Sequence, residues 1–286
     1  MATAKKKSVQ PACFSHELTV AKMQSQFYAH DLARMCRLAK KKETEAEAAR
    51  KQLAHYAADL RTTLARTKHM HRQLQEAYHD TIQKLVLAAE FKDQDTGAHI
   101  SRMCAYSAIL AEQCGLPKND VQNLFYAAPM HDVGKIGIPD HIIMKPARLT
   151  AGEMAVMKQH TLIGSKILAD SEADILKLAR EIALWHHEKW NGTGYPHGLK
   201  RTKIPIMCRI VAVSDVFDAL TSRRPYKKAF SVDESCSIIK NESGRHFDPD
   251  ITDVFFRTVD RIVTVKKDTA KKKVVAFEDL VSNLYK

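Results

Sequence analysis

The chain has little or none of several features that define large protein classes. No apolar run approaches the ~18–20 residues that a membrane-spanning helix needs, so no transmembrane segment is predicted. Residues 1–7 are basic, as in a signal peptide, but no apolar stretch follows them. None of the six cysteines forms a C-x-x-C pair, which is typical of reduced thiols in a cytosolic protein. We therefore expect a cytoplasmic protein.

Acidic residues are also in deficit. The 286 residues include 45 Lys and Arg but only 33 Asp and Glu, which gives a formal net charge of +12. Such an excess attracts phosphates, acidic proteins or anionic membrane surfaces. No recognised nucleic-acid-binding motif accompanies it, so we expect no specific nucleic-acid partner.

Glycine and proline are absent from residues 15–89, where strong helix formers dominate. A heptad pattern can be fitted through Ala57, Leu60 and Leu64, although Thr67 and His71 interrupt the seam. The pattern is compatible with a long helix folded back on the domain, a helical hairpin with its break near residues 40–42, or a parallel dimer stalk. We favour a homodimer through this helix, on which a regulatory partner protein could also act.

The remainder of the chain shows mainly helical spacing of apolar residues. We predict an all-α fold, in which a helical core follows the long N-terminal helix. The predicted helices cover residues 86–114, 119–131, 151–169, 172–187, 205–221, 231–242 and 249–263. Alternating runs at 262–265 and 274–277 could form a small C-terminal β-hairpin. The predicted organisation is a flexible basic tail (1–14), a helical linker (15–84) and a catalytic domain (85–286).

Histidines and aspartates cluster in this second part of the chain. The candidate metal ligands are Asp95, His99, His131, Asp132, His160, His186, His187 and Asp215. Imidazole and carboxylate ligands carried by helices are typical of dinuclear metal sites in helical bundles. This ligand set suits iron, manganese or zinc, and the absence of cysteine argues against a structural zinc site.

Spacing suggests how these ligands could be arranged. Asp95 and His99 are four residues apart, so they share a face if the segment is helical. The two oxygens of Asp132 could bridge two metal ions. His186 and His187 would point about 100° apart on a helix, so one imidazole could serve each of two ions.

An ordered series of motifs resembles the HD-GYP phosphodiesterases, a branch of the HD superfamily of metal-dependent phosphohydrolases. The motifs are Asp95-Thr-Gly-Ala-His99, His131-Asp-Val-Gly-Lys135, His160, His186-His-Glu188 with Gly194-Tyr-Pro196, Asp215-Val-Phe-Asp218, and Arg224-Pro-Tyr226. The resemblance covers residues 85–249. It implies an all-helical core that hydrolyses cyclic di-GMP to the linear dinucleotide pGpG, to GMP or to both, in bacterial second-messenger signalling.

The resemblance also implies roles for individual residues. His99, His131, Asp132, His160, His186, His187 and Asp215 would bind two divalent ions, with iron or manganese expected. Asp95 stands where trinuclear members of the family have a glutamate, so a third ion is an alternative. Asp132 and Lys135 would be catalytic, with Lys135 on the scissile phosphate. Tyr195, Arg224 and Lys227 would contact the rest of the substrate.

Two alternatives stay open beside a cyclic di-GMP phosphodiesterase. One is a cyclic-dinucleotide receptor or scaffold that keeps the pocket and has little turnover. The other is a hydrolase of a related cyclic dinucleotide, such as cyclic GMP-AMP. The complete ligand set favours an active enzyme over the receptor.

Overall fold

Helices form all the regular structure in the part of the chain that the computed structural model describes, which is residues 11–90, 92, 97–222 and 229–271. Outside the helices, an isolated bridge joins Ser243 and Phe247. The helices are α1 (Pro11–Glu90), α2 (Gly97–Gln113), α3 (Lys118–Ala127), α4 (Asp140–Ile143), α5 (Ala151–Met157), α6 (Gln159–Ile167), α7 (Asp174–Trp185), α8 (Ile206–Thr221), α9 (Val232–Asn241) and α10 (Pro249–Lys271), with 3-10 segments at Ala128–Gly137 and Arg201–Lys203. The predicted all-α class is confirmed.

Helix α1 is one uninterrupted helix of 80 residues. It passes through residues 40–42 without a break, so the helical-hairpin interpretation is wrong. Pairs four residues apart support it locally, such as Glu47 with Lys51 at 3.0 Å. The helix begins at Pro11 and therefore includes the last four residues of the predicted tail, whereas residues 1–10 lie outside the described part.

The chain divides into two compact units, the first ending at Gln75 and the second beginning at Glu76. In the first unit, every described side chain from residue 18 onward is exposed. The division predicted from sequence, with a catalytic domain from residue 85, stays a prediction.

The core of the second unit lies between α2, α8 and α10. Tyr106 of α2 packs edge-on against Phe217 of α8, with ring centroids 5.8 Å apart, and Phe217 packs in turn against Phe255 of α10 at 5.1 Å. All three side chains are fully buried. Burial of large aromatic side chains stabilises this unit by about 1.5–3 kcal/mol each, and it fixes the helices that carry the site.

Capping residues define two helix starts in this unit. At the start of α5, Thr150 accepts a hydrogen bond from the Glu153 backbone N–H and the Glu153 carboxylate accepts one from the Thr150 N–H. Ser231 and Glu234 form the same reciprocal pair at the start of α9. Each such cap stabilises its helix by about 1 kcal/mol.

Four of the predicted helices have clearly different bounds, and one of these, predicted at 249–263, extends to Lys271. The predicted helix 86–114 is interrupted, since α1 ends at Glu90, Lys92 is in a turn and α2 begins at Gly97. The predicted helix 119–131 ends at Ala127, because Pro129 stands at the start of a 3-10 segment. The predicted helix 151–169 is divided at Lys158 into α5 and α6.

The predicted C-terminal hairpin is also wrong in its first strand. Residues 262–265 belong to α10, where Ile262 is buried in the core and Val263 packs against it. Helical burial of one face therefore outweighs the strand preference of these β-branched residues. The second predicted strand, 274–277, lies outside the described residues.

No described helix combines the length and the apolar character needed to cross a membrane.

Candidate metal centre

The candidate site is built where five elements of the second unit meet. His99 lies in the first turn of α2, His160 on α6 and Asp215 on α8. His131 and Asp132 lie on the 3-10 segment Ala128–Gly137, which packs against α6 and α7. His186 and His187 directly follow the last residue of α7. The structure thus brings together seven of the eight predicted metal ligands.

These seven side chains form two groups whose ligand atoms lie within 4.8 Å of one another. The four-residue group contains Asp132, His160, His186 and His187, and the three-residue group contains His99, His131 and Asp215. The imidazoles of His99, His131, His160 and His186 are buried. Both groups have the nitrogen and oxygen donors that divalent transition metals bind.

Asp132 lies where the two groups meet. Its Oδ1 is 3.3 Å from Nε2 of His160 and 3.6 Å from Nε2 of His186, both in the four-residue group. Its Oδ2 is 3.3 Å from Nε2 of His131, in the three-residue group. One oxygen thus faces each group, which is the arrangement that a bridging carboxylate requires.

Lys135 lies beside this carboxylate, with its Nζ 2.8 Å from Asp132 Oδ2. Burial alone would raise the pKa of Asp132. The positive charge of Lys135 and the interactions with His131 and His186 outweigh that effect, so the pKa of Asp132 lies well below its usual range. Asp132 is therefore a carboxylate at neutral pH, as a metal ligand must be.

Backbone carbonyls orient three of the imidazoles. Nδ1 of His131 lies 2.9 Å from the Ala128 carbonyl oxygen, and Nδ1 of His160 lies 2.8 Å from that of Met157. Nδ1 of His186 likewise lies 3.0 Å from the carbonyl oxygen of Ile182. Because a carbonyl only accepts, each Nδ1 carries the proton and each Nε2 presents its lone pair to the site.

A carboxylate orients His99 instead. Nδ1 of His99 donates to Asp218 Oδ2 at 2.7 Å, and Arg102 holds the same carboxylate through Nε at 2.5 Å and Nη2 at 2.8 Å. Burial lowers the pKa of His99, but the hydrogen bond to Asp218 and its charge more than offset this and raise the pKa. A carboxylate behind a metal-binding histidine typically fixes its orientation and raises its basicity.

The prediction of site residues from sequence missed this role of Asp218 and Arg102. Asp218 was noted only as part of the Asp215-Val-Phe-Asp218 motif. Its spacing of three residues from Asp215 places both carboxylates on one face of α8, and this spacing is the signal that could have identified it.

The donor set fits metal ions. Burial lowers the pKa of His160 to about 4 and that of His187 well below its usual value, so both imidazoles are neutral at pH 7. The neutral Nε2 lone pair of His160 therefore faces Asp132 Oδ1 at 3.3 Å. Lone pairs facing each other in a buried site repel unless a cation lies between them. Divalent ions held by these residues would supply that charge.

His186 and His187 lie close together in this centre. They belong to the same group, and their ring centroids are only 4.0 Å apart. Helix α7 ends at Trp185, directly before this pair. That each imidazole serves a different ion stays a prediction.

Tyr195 lines the four-residue group. Its ring lies against the His187 ring, with centroids 4.7 Å apart and an interplanar angle of 30°. Burial raises the pKa of its hydroxyl, so the phenol stays neutral. The Tyr195-Pro196 peptide is cis. The structure thus places Tyr195 beside the metal-ligand groups, where a substrate contact was predicted.

The loop that carries Tyr195 is held by Glu188, a further residue that sequence reasoning missed. This carboxylate is buried and accepts hydrogen bonds from the backbone N–H groups of His197 at 2.7 Å and Leu199 at 2.9 Å. A Cβ on Gly194 would come within 2.5 Å of the Glu188 Cα, so the loop packs directly on the chain that follows His187. The position of Glu188 directly after the histidine pair is the sequence signal that could have identified it as part of the site.

A close approach between two backbone segments fixes the distance between Asp132 and His160. A Cβ on Gly134 would lie 1.9 Å from the His160 carbonyl oxygen and 2.4 Å from the Gly164 nitrogen. The 3-10 segment can approach α6 only because residue 134 has no side chain. This contact sets the separation between the two elements that supply the ligands.

The remaining predicted site residues cannot be placed, because Asp95, Arg224 and Lys227 lie outside the described residues. Their roles, including a third metal ion at Asp95, stay predictions.

Comparison with known proteins agrees with this geometry. The family model described as "HD domain" matches residues 85–251, more than half of the chain. This chain belongs to the HD-domain family. Its relatives and its ordered motifs place it among the HD-GYP-type HD phosphohydrolases.

Several curated proteins resemble this HD-domain chain. A cyclic di-GMP phosphodiesterase of Thermotoga maritima is 44% identical over 186 residues, which cover 65% of this chain and 50% of that protein. The cyclic di-GMP phosphodiesterase response regulator RpfG of Xanthomonas campestris is 43% identical, with 65% and 49% covered. The chain thus spans about half the length of these curated relatives.

Proteins named for another substrate are similar as well. A 3'3'-cGAMP-specific phosphodiesterase of Vibrio cholerae is 38% identical, with 68% of this chain and 37% of that protein covered. Among solved structures, a cyclic GMP-AMP-specific phosphodiesterase of V. cholerae aligns with a TM-score of 0.50 at 19% identity, covering 68% of this chain and 52% of the other. This structural likeness supports the fold alone.

Proposed function

We propose that this protein hydrolyses the phosphodiester bonds of a cyclic dinucleotide, and that cyclic di-GMP is its substrate in bacterial second-messenger signalling. The observation that carries the proposal is the meeting of two ligand groups at Asp132, with the ammonium group of Lys135 beside them. Phosphodiester hydrolysis requires charge neutralisation at one phosphate and an activated water. Relatives named for cyclic di-GMP at above 40% identity support the choice of substrate.

Each part of the site has a role in this reaction. The seven histidine and aspartate ligands would hold two divalent ions, for which we propose iron or manganese. Such ions lower the pKa of bound water and neutralise charge that develops on a phosphoryl group. Lys135 places a positive charge next to the scissile phosphate, and its nearly buried position strengthens that interaction. Tyr195 forms the side of the site against which the dinucleotide would lie.

Product analysis tests this proposal. The protein is purified with and without air, loaded with Fe²⁺ or Mn²⁺ and incubated with cyclic di-GMP, and products are followed by chromatography. We expect pGpG, GMP or both, with metal content measured on the same sample. Metal-loaded protein that binds cyclic di-GMP without cleaving it would instead support the receptor function.

Cyclic GMP-AMP is the second candidate substrate, because relatives named for it are 38% identical or less. Equal concentrations of the two cyclic dinucleotides in one reaction give the ratio of their kcat/KM values directly. We expect cyclic di-GMP to disappear first. If cyclic GMP-AMP is consumed first, cyclic GMP-AMP is the preferred substrate and the choice of cyclic di-GMP is wrong.

We also propose that α1 joins two copies of the chain in a parallel coiled coil. Leu32, Leu53 and Leu60 stand at multiples of seven residues and are each more than 65% exposed. Ala39 and Ala46 complete this column. An exposed apolar column at heptad spacing on so long a helix is typical of a dimer seam.

Charge supports the parallel orientation. Glu45 and Arg50 flank the column, and their spacing of five residues pairs them across two parallel helices in the same register. Regulation by a partner protein through this helix, and a cytoplasmic location, stay predictions from the sequence.

Light scattering after size-exclusion chromatography tests the dimer. We expect the mass of a dimer for the full chain and of a monomer for the double variant Leu53→Glu, Leu60→Glu. Ala58→Glu places the same charge on the opposite face of α1 and should leave the dimer intact. A monomeric wild-type chain would contradict the proposed stalk.

A further inference from the structure

Lys158 is a cation at the edge of the candidate site to which neither sequence motifs nor comparisons assign a role. It lies at the junction of α5 and α6 and is exposed. Its Nζ is 4.9 Å from the centroid of the Tyr195 ring, within the distance of a cation–π interaction. This contact holds the end of a flexible side chain at a defined place.

That place is next to a ring that contacts the four-residue group. The centroid of the Tyr195 ring is 4.9 Å from the Lys158 Nζ and 4.7 Å from the centroid of the His187 ring. The His160 ring also approaches Tyr195, nearly perpendicular to it, at 6.4 Å. Tyr195 therefore contacts both the Lys158 ammonium and the imidazoles of the four-residue group.

The charge of Lys158 is available to an external anion. Lys135 is paired with Asp132 at 2.8 Å, and Lys145 is paired with Glu153 at 2.6 Å. In the described part of the second unit, no carboxylate lies within ion-pair distance of Lys158. A lysine that faces only an aromatic ring keeps most of its attraction for a phosphate.

The proposed substrate supplies such an anion. A cyclic dinucleotide carries two phosphodiester groups, and the metal ligands and Lys135 can serve only the one that is cleaved. The second group would remain negatively charged, and a neutral phenol such as Tyr195 would not compensate it. The Lys158 ammonium, which contacts the Tyr195 ring, would compensate that charge.

We infer that Lys158 binds the phosphate of the cyclic dinucleotide that is not being cleaved. The inference rests on the proposed function, because only a substrate with two phosphodiester groups would use this subsite. It makes Lys158 a residue that discriminates cyclic dinucleotides from simple phosphodiesters.

Kinetics with two substrates test this role. Cyclic di-GMP has two phosphodiester groups, whereas bis(p-nitrophenyl) phosphate has one and cannot reach both subsites. For Lys158→Ala we expect the KM for cyclic di-GMP to rise about fivefold, the effect of losing one charge-assisted contact at a partly hydrated position. The kcat of Lys158→Ala should stay within about twofold of the wild-type kcat, because the contact with the second phosphate is equally strong in the ground state and the transition state.

Three comparisons make the test specific. Lys158→Arg keeps the charge and should have a KM close to that of the wild type, whereas Lys166→Ala removes an exposed lysine from the adjoining helix α6 and should leave the KM unchanged. Hydrolysis of bis(p-nitrophenyl) phosphate and metal content should be unchanged in Lys158→Ala. Raising the salt concentration should weaken cyclic di-GMP binding less in this variant than in the wild type.

Two results would overturn the inference. One is an unchanged KM for cyclic di-GMP in Lys158→Ala. The other is an equal loss with both substrates, which would mean that Lys158 acts through the packing of Tyr195 or His160. A wild-type protein that cleaves bis(p-nitrophenyl) phosphate but no cyclic dinucleotide would overturn the proposed function, and this inference with it.

Discussion

The two ligand groups of the candidate metal centre differ in how their histidines are oriented. Carbonyl oxygens three or four residues earlier in the chain orient His160 and His186 in the four-residue group, and His131 in the three-residue group. His99, in the three-residue group, instead depends on Asp218, which is 119 residues away in sequence. Local backbone contacts form whenever the helix forms, whereas a distant carboxylate requires the complete tertiary fold. The three-residue group should therefore be the more sensitive to single substitutions outside the ligand set.

Asp132→Ala should have the largest effect, because it removes the carboxylate that both groups share. We expect both metal ions to be lost and phosphodiesterase activity to fall by at least about 100-fold. Elemental analysis and product chromatography on the same sample measure the two effects. Asp253→Ala, at an exposed position of α10, is the matched control. A folded Asp132→Ala protein with full metal content and rate would show that the groups work independently.

Gly134→Ala should disturb the four-residue group through its backbone. The added Cβ would overlap the His160 carbonyl oxygen, and forced repacking of this kind costs about 1–3 kcal/mol. Urea unfolding measures the loss of stability. Gly152→Ala is the control: its Cβ meets nothing within 4 Å in α5, and we expect it to be neutral or to stabilise by up to about 1 kcal/mol. Similar stabilities for both variants would argue against the close approach.

Asp218→Asn should affect the three-residue group selectively. The substitution keeps the size of the side chain but removes the charge that His99 and Arg102 share, and we expect metal affinity in this group to fall about 10- to 100-fold. Titration of metal-free protein should then show one weakened ion and one unaffected ion. Asp253→Asn controls for the loss of charge. Equal weakening of both ions would mean that the groups are coupled more tightly than their separate supports suggest.

Glu188→Gln should have the smallest effect, because Glu188 supports the Tyr195 loop and no ligand directly. Glutamine offers one acceptor oxygen where two backbone N–H groups need one each, so the loop loosens. We expect the KM for cyclic di-GMP to rise a few-fold, with metal content unchanged. Glu181→Gln, exposed on α7, is the control. Metal loss in Glu188→Gln would place this residue among the supports of the four-residue group.

Sequence reasoning succeeded where spacing along the chain carries the information. The helical class follows from composition and periodicity, and the order of histidine and aspartate motifs identified all seven side chains that the structure groups together. Sequence reasoning failed where the structure depends on the residue at which a helix ends, or on contacts between residues that are distant in sequence. Helix α7 ends at Trp185, and His186 and His187 fall in one group with ring centroids 4.0 Å apart, which their adjacency in the sequence does not reveal.

The roles of Asp218 and Glu188 were missed for a related reason. Both are buried carboxylates whose partners lie elsewhere in the fold, and burial is not visible in a motif. The hairpin prediction at 262–265 failed because β-branched residues fit a strand locally, while packing of Ile262 in the core decides for a helix.

The protonated Nδ1 atoms of His131, His160 and His186 have a consequence for metal choice. The Nε2 lone pairs of these three imidazoles are therefore oriented before any ion arrives, so an incoming ion finds its ligands in place without rearranging the protein. Ions of similar size and charge can then replace one another at little conformational cost. Whether iron or manganese occupies such a centre would follow the supply of each in its surroundings more than the shape of the fold.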